Sequence, residues 1–115
     1  MYQFVSDATD DNPDQFTTEK IRGAAHRQLW MNTREGTFTD VNVRTAIALG
    51  LDRQALIDTA LGGQGDLGND HPIAPVYEFF DASQAQRERD VEKAKSLLDA
   101  AGKAGLAITM HAPKL

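Results

Sequence analysis

Cysteine is missing from this sequence of 115 residues. That removes disulfide frameworks, thiolate zinc sites and cysteine nucleophiles at once, and leaves the redox compartment undetermined. Also missing is any apolar run near the roughly 20 residues that cross a bilayer. Basic side chains are few, 12 against 17 acidic ones, and they gather nowhere more densely than in Arg87-Glu88-Arg89. A nucleic-acid partner needs a basic face that displaces counterions, so that class is excluded. The opening Tyr2-Gln3-Phe4-Val5-Ser6-Asp7 has neither the basic start nor the apolar middle of an export signal. There is no internal repeat and no low-complexity tract. What remains is an acidic chain of formal net charge −5, with mixed α and β character. Its length suits one domain, since single domains commonly run to roughly 100–150 residues.

Along the chain, residues 1–27 are polar, with Asp7, Asp10, Asp11 and Asp14 crowded around Asn12-Pro13. They read as a turn-rich lead-in. Gln28 to Asn32 is short, apolar and aromatic, and is closed by Thr33-Arg34-Glu35-Gly36, which predicts a strand. Asp40 then offers an N-cap, and Val43, Ala46, Ile47, Gly50 and Leu51 share one helical face. Asp52 offers a second cap ahead of the stripe Leu56, Ile57, Ala60 and Leu61, which ends at Gly62-Gly63. Two helices joined at Leu51-Asp52 account for this better than one bent helix. Gly62 to Pro75, rich in glycine and proline, must be a long irregular loop, and such loops are uncommon in compact domains unless they have a task. Asp90 caps a last helix with the stripe Val91, Ala94, Leu97, Leu98 and Ala101, closed by Gly102. Leu106 to His111 alternates and predicts a second strand.

Gly63-Gln64-Gly65-Asp66-Leu67-Gly68 matches the dinucleotide fingerprint in spacing, but a helix precedes it and Asn69-Asp70-His71-Pro72 follows, where the fingerprint needs a strand before and a helix after. An EF-hand begun at Asp7 would need glycine and glutamate where Asn12 and Thr18 stand. His26, His71 and His111 are too far apart for a local ligand pair, so no metal site is expected. Ser6, Ser83 and Ser96 lack a nucleophile-elbow context, and no catalytic residue is assigned. No cofactor is expected. Trp30 has the apolar area and polar handle to stack on a ligand, although a tryptophan between Leu29 and Met31 is more often core.

Two blocks then align with something familiar. Leu29-Trp30-Met31-Asn32 followed by Phe38-Thr39-Asp40-Val41-Asn42-Val43-Arg44-Thr45-Ala46, and an apolar stretch closed by Asp52-Arg53, resembles the signature of the family 5 extracellular solute-binding proteins. Asp90-Val91-Glu92-Lys93-Ala94-Lys95-Ser96-Leu97-Leu98-Asp99-Ala100-Ala101-Gly102 looks like the same family's later helix. Thr37 stands where that pattern often has proline, and Gly50 where it has alanine. The resemblance covers about residues 28–112. Physically these are folding residues: caps, small contacts, and an acid-to-base pair four apart at Asp40 and Arg44.

The resemblance implies a receptor that binds a small-molecule or peptide ligand between two lobes and delivers it to the permease subunits of an ABC importer, without catalysis. It implies an extracytoplasmic parent, in the periplasm or lipid-anchored on the cell surface. It also implies an α/β fold, in which residues 28–115 form part of the second lobe of a periplasmic-binding-protein-like structure, helices packed on a small mixed sheet. The first lobe would be missing, so apolar surface should be exposed and self-association is expected. Ligand contacts are expected at Trp30, Asn69, Asp70 and His71. The bland alternative for the loop is an Asx-type turn at Asn69-Asp70 stiffened by Pro72. The competing class is a free-standing small α/β interaction module or an unrecognised enzyme.

Overall fold

The computed structural model describes residues 10–17, 19, 21 and 23–112. The proposed turn-rich lead-in therefore lies partly outside the described residues, and Asp7 lies wholly outside them. Between 23 and 112 the ordered elements are a 3-10 turn, Gly36–Thr39, and three helices: α1 (Val41–Gly50), α2 (Arg53–Leu61) and α3 (Val91–Ala100). They fall into two compact units. One gathers Gln28–Leu51 with the described residues from Arg87 onward; the other gathers Asp52–Gln86 with the described residues up to Arg27.

Each helix starts at the aspartate the sequence indicates. The first amides of a helix have no acceptor one turn back, and a short carboxylate at the N-cap supplies one, a contribution of about 1 kcal/mol. Asp40 accepts from the Asn42 amide at 2.8 Å, Asp52 from Ala55 at 3.0 Å and Asp90 from Lys93 at 2.8 Å. The break between α1 and α2 falls at Leu51, which is extended. At the other end of α3, Gly102 is left-handed at φ +64. Its amide donates to the Asp99 carbonyl, and that of Lys103 to Leu98, the paired bonds of a Schellman stop.

In the first unit helix packs on helix. Ala46 and Leu49 of α1 meet Ala94 of α3, with Leu97 and Leu98 half-buried against them. The two alanines let the backbones approach closely, and Val43, one turn earlier, is completely buried. The Asp90 amide donates to the Leu49 carbonyl at 3.0 Å and ties the start of α3 to the end of α1. Arg44 does not serve as a partner for Asp40. Its Nη1 donates to the carbonyls of Phe38 and Thr39 at 2.7 and 3.0 Å, clamping the 3-10 turn against α1.

Two expectations are corrected. No strand occurs among the described residues, so the architecture there is helical and the expected α/β arrangement of helices on a small mixed sheet is absent. Gln28 to Asn32 and Leu106 to His111 are extended or irregular chain outside any ladder. Alternation of apolar residues reports a ribbon with one covered face, and it becomes a strand only when a neighbour supplies hydrogen bonds and cover. Here Trp30 is 83% exposed and Met110 70% exposed. The buried stripe of α1 is also narrower than expected. Its partner is a single helix, so Val43, Ala46 and Leu49 are covered while Gly50 is exposed.

In the second unit α2 buries only Ile57. The loop after Gly62 turns back over that side chain. A Cβ on Gly65 would lie 2.9 Å from Leu61 Cδ1 and 3.3 Å from Ile57 Cγ2, so a side chain there would have to push these neighbours aside. Gly63, at φ +76, makes the left-handed turn that brings the chain there. Within the glycine spacing that imitates a nucleotide fingerprint, Gly63 thus serves the turn and Gly65 the packing of the loop on the helix.

Candidate functional site

The long loop of the second unit is held by polar contacts between residues distant in sequence. Asp70 occupies the left-handed region at φ +54, which aspartate tolerates better than most residues. Its Oδ1 lies 2.6 Å from Arg53 Nη2 at the start of α2. Asn69 Nδ2 donates to the Ala85 carbonyl at 2.9 Å and lies 3.4 Å from that of Gln84. Gln86 Nε2 returns a bond to the Gly68 carbonyl at 3.1 Å. Together they close residues 68–86 into an Ω-like loop, the compact form in which long connections survive.

Inside the loop, His71 packs edge-on to Phe80, with ring centroids 5.6 Å apart and planes at 72°. Its Nδ1 is 3.1 Å from the Ile73 amide and 3.0 Å from the Ile73 carbonyl oxygen. An Asx turn lies at Asp81, whose Oδ1 accepts from the Ser83 hydroxyl at 2.6 Å and the Ser83 amide at 2.9 Å. These two bonds, the hydroxyl first, hold the Asp81 carboxyl below the usual carboxylate range. Beside the turn lies an open depression of about 540 Å³ lined by Pro72, Ile73, Val76, Tyr77, Glu78 and Phe79. Phe79 is 76% exposed there.

The structure therefore brings Asn69, Asp70 and His71 together in one loop and places Trp30 in the other unit. Among the described residues no cluster of three or more histidine, aspartate or glutamate side chains is placed to hold a metal ion. Arg53, Ala85 and Gln86 escape sequence reasoning as loop fasteners. Arg53 stands in the Asp-Arg pair that closes the first motif, which hints at a role, whereas nothing marks a backbone carbonyl at Ala85.

The family signature maps onto this scaffold residue by residue. Asp40 caps α1, Val43 is its fully buried anchor, Arg44 clamps the preceding turn, and Ala46 meets Ala94. A family model described as "Bacterial extracellular solute-binding proteins, family 5 Middle" matches residues 2–112. The chain belongs to the family 5 bacterial extracellular solute-binding proteins. Membership carries a solute-binding role in ABC import, without enzymatic activity in the family, and an extracellular setting for its members. Comparison with curated proteins and with solved structures gives no match. Among the described residues no helix is long and apolar enough to cross a membrane.

Proposed function

We propose that this chain is part of the second lobe of a receptor that captures peptides outside the cytoplasmic membrane and passes them to ABC permease subunits. The observation that carries the reading is the family match over residues 2–112. Its physical support is the imbalance between core and surface. Among the described residues five apolar side chains are buried, while Leu29, Trp30, Leu56, Val76, Tyr77, Phe79, Ile108 and Met110, among others, are exposed. Exposed apolar side chains in each unit suit contact with other protein surface, here the remainder of a two-lobed protein. Peptides are favoured because they are the commonest substrate class of the family the motifs resemble.

The residues proposed to face ligand are Trp30 in one unit and the Asn69-Asp70-His71 turn in the other. Support for Trp30 is its exposure, since a tryptophan ring offers apolar area and an N–H donor to a bound molecule. Support for the turn is that its side chains are already fixed, Asp70 by Arg53 and Asn69 by Ala85, so ordering it on binding costs little. Binding in such a receptor comes from closure that removes water from ligand and cleft. One lobe's share of the contacts gives weak binding on its own.

The test is to recover the coding sequence on both sides of this chain, express the full-length protein, and titrate it by calorimetry with peptide pools, nickel and simple sugars. Saturable heat with peptides alone is expected. Saturable heat with nickel or sugars and none with peptides would overturn the substrate class. A natural start at Met1 and stop after Leu115 would overturn the lobe assignment.

A further inference from the structure

We propose that His71 is a protonation-dependent latch on the loop of residues 69–81, exchanging one hydrogen-bond partner within Ile73 for another as its ring gains a proton. The geometry is specific. The Ile73 amide nitrogen and the Ile73 carbonyl oxygen lie 3.1 and 3.0 Å from the same Nδ1. One nitrogen cannot serve both, because accepting from the amide needs a lone pair and donating to the carbonyl needs a proton there. In the neutral ring with its proton on Nε2, Nδ1 accepts from the Ile73 amide. The imidazolium donates to the Ile73 carbonyl and leaves that amide to water.

The Phe80 ring packs against His71, 5.6 Å away between centroids and at 72°. Asp81, next along the chain, carries a carboxylate that interacts electrostatically with His71. The other charges of residues 69–81 are Asp70 and Glu78, and those of α2 are Arg53, paired with Asp70, and Asp58, which accepts from Gln54. The exchange changes which backbone group of Ile73 the ring holds. Because Pro72 and Ile73 line the open depression, the same exchange alters the backbone at its rim. The inference rests on loop geometry and stands apart from the ligand class.

The test is an NMR titration of the isotope-labelled chain from about pH 8 to about pH 5, the span in which histidine charges, following the three histidine rings and the Ile73 amide. The Ile73 amide shift is expected to move with the midpoint of His71, accompanied by loss of hydrogen-exchange protection at that amide and a parallel shift of the Phe80 ring. His26 and His111, outside the loop, are internal references. An Ile73 amide that stays still while His71 titrates, or follows either reference histidine, would overturn the proposal. In His71→Asn the pH dependence at Ile73 should vanish, and its persistence would also overturn it. If that variant does not fold, the titration of the unsubstituted chain decides.

Discussion

The two units of this chain are held by different physics. The helix pair α1 and α3 closes on apolar contact, Ala46 and Leu49 against Ala94, with Leu97 and Leu98 beside them. Among the described residues the α2 unit buries one apolar side chain, Ile57, and is fastened by Asp70 to Arg53, Asn69 to Ala85 and Gln86 to Gly68. Apolar packing is cooperative, so loss of one side chain is felt throughout the helix pair. Polar fasteners at a solvated surface are individually weak, and each should fail with local effect.

The sharpest way to break that contrast is Leu49→Ala. In a core this small the neighbours relax partly, and a loss of about 2–3 kcal/mol is expected. Urea unfolding should register the loss, and hydrogen exchange should rise together in α1 and α3. A loss confined to α1 would mean that the pair is not cooperative.

Gly65→Ala should have the next largest effect. The new methyl meets the mobile end of Leu61 but also the covered Ile57, so about 1 kcal/mol is expected, at the low end of overpacking costs. Exchange should rise in α2 and the loop, with α1 and α3 unmoved.

A smaller difference separates two replacements of Asp70. Both lose the Arg53 contact, a partly exposed pair, but alanine must also hold the left-handed backbone. Asp70→Gly should therefore stay within about 0.5 kcal/mol of the unsubstituted chain, and Asp70→Ala should fall about 1 kcal/mol below the glycine variant. Equal stability of the two in urea unfolding would show that the backbone at Asp70 carries no strain.

The smallest effect is electrostatic. Asp81 has its carboxyl lowered by Ser83, so it favours the folded loop above the ordinary carboxylate pKa. That preference disappears as pH falls through the lowered value. Ser83→Ala should move the titration of the Asp81 carboxyl carbon back upward. An unchanged midpoint would mean that the Ser83 bonds are not made in solution.

The contrast also explains what the sequence made legible. The three aspartate caps, the break at Leu51 and the Gly102 stop were readable because each is settled within a few residues. The apolar stripes were readable as faces, but not in width, because width depends on the partner: α1 meets a helix and covers Leu49 in place of Gly50. The two expected strands failed for the same reason. The apolar run Leu29-Trp30-Met31 and the alternation of Leu106 to His111 record what a segment is suited to, and a ladder needs a second segment that no local pattern supplies. Asn69, Asp70 and His71 were readable as one loop. The fasteners at Arg53, Ala85 and Gln86 were not, since pairing across many residues leaves no periodic trace.

The central functional claim is that this family 5 chain holds one lobe's share of a peptide cleft. The most direct test titrates one peptide pool, by calorimetry, into the 115-residue chain and into the longer protein proposed to contain it (the parent) under the same conditions. Saturable binding by the parent, with heats near dilution for the chain alone, is the expected result. Equal affinity for the two would contradict the claim, because it would place a complete binding site within this chain.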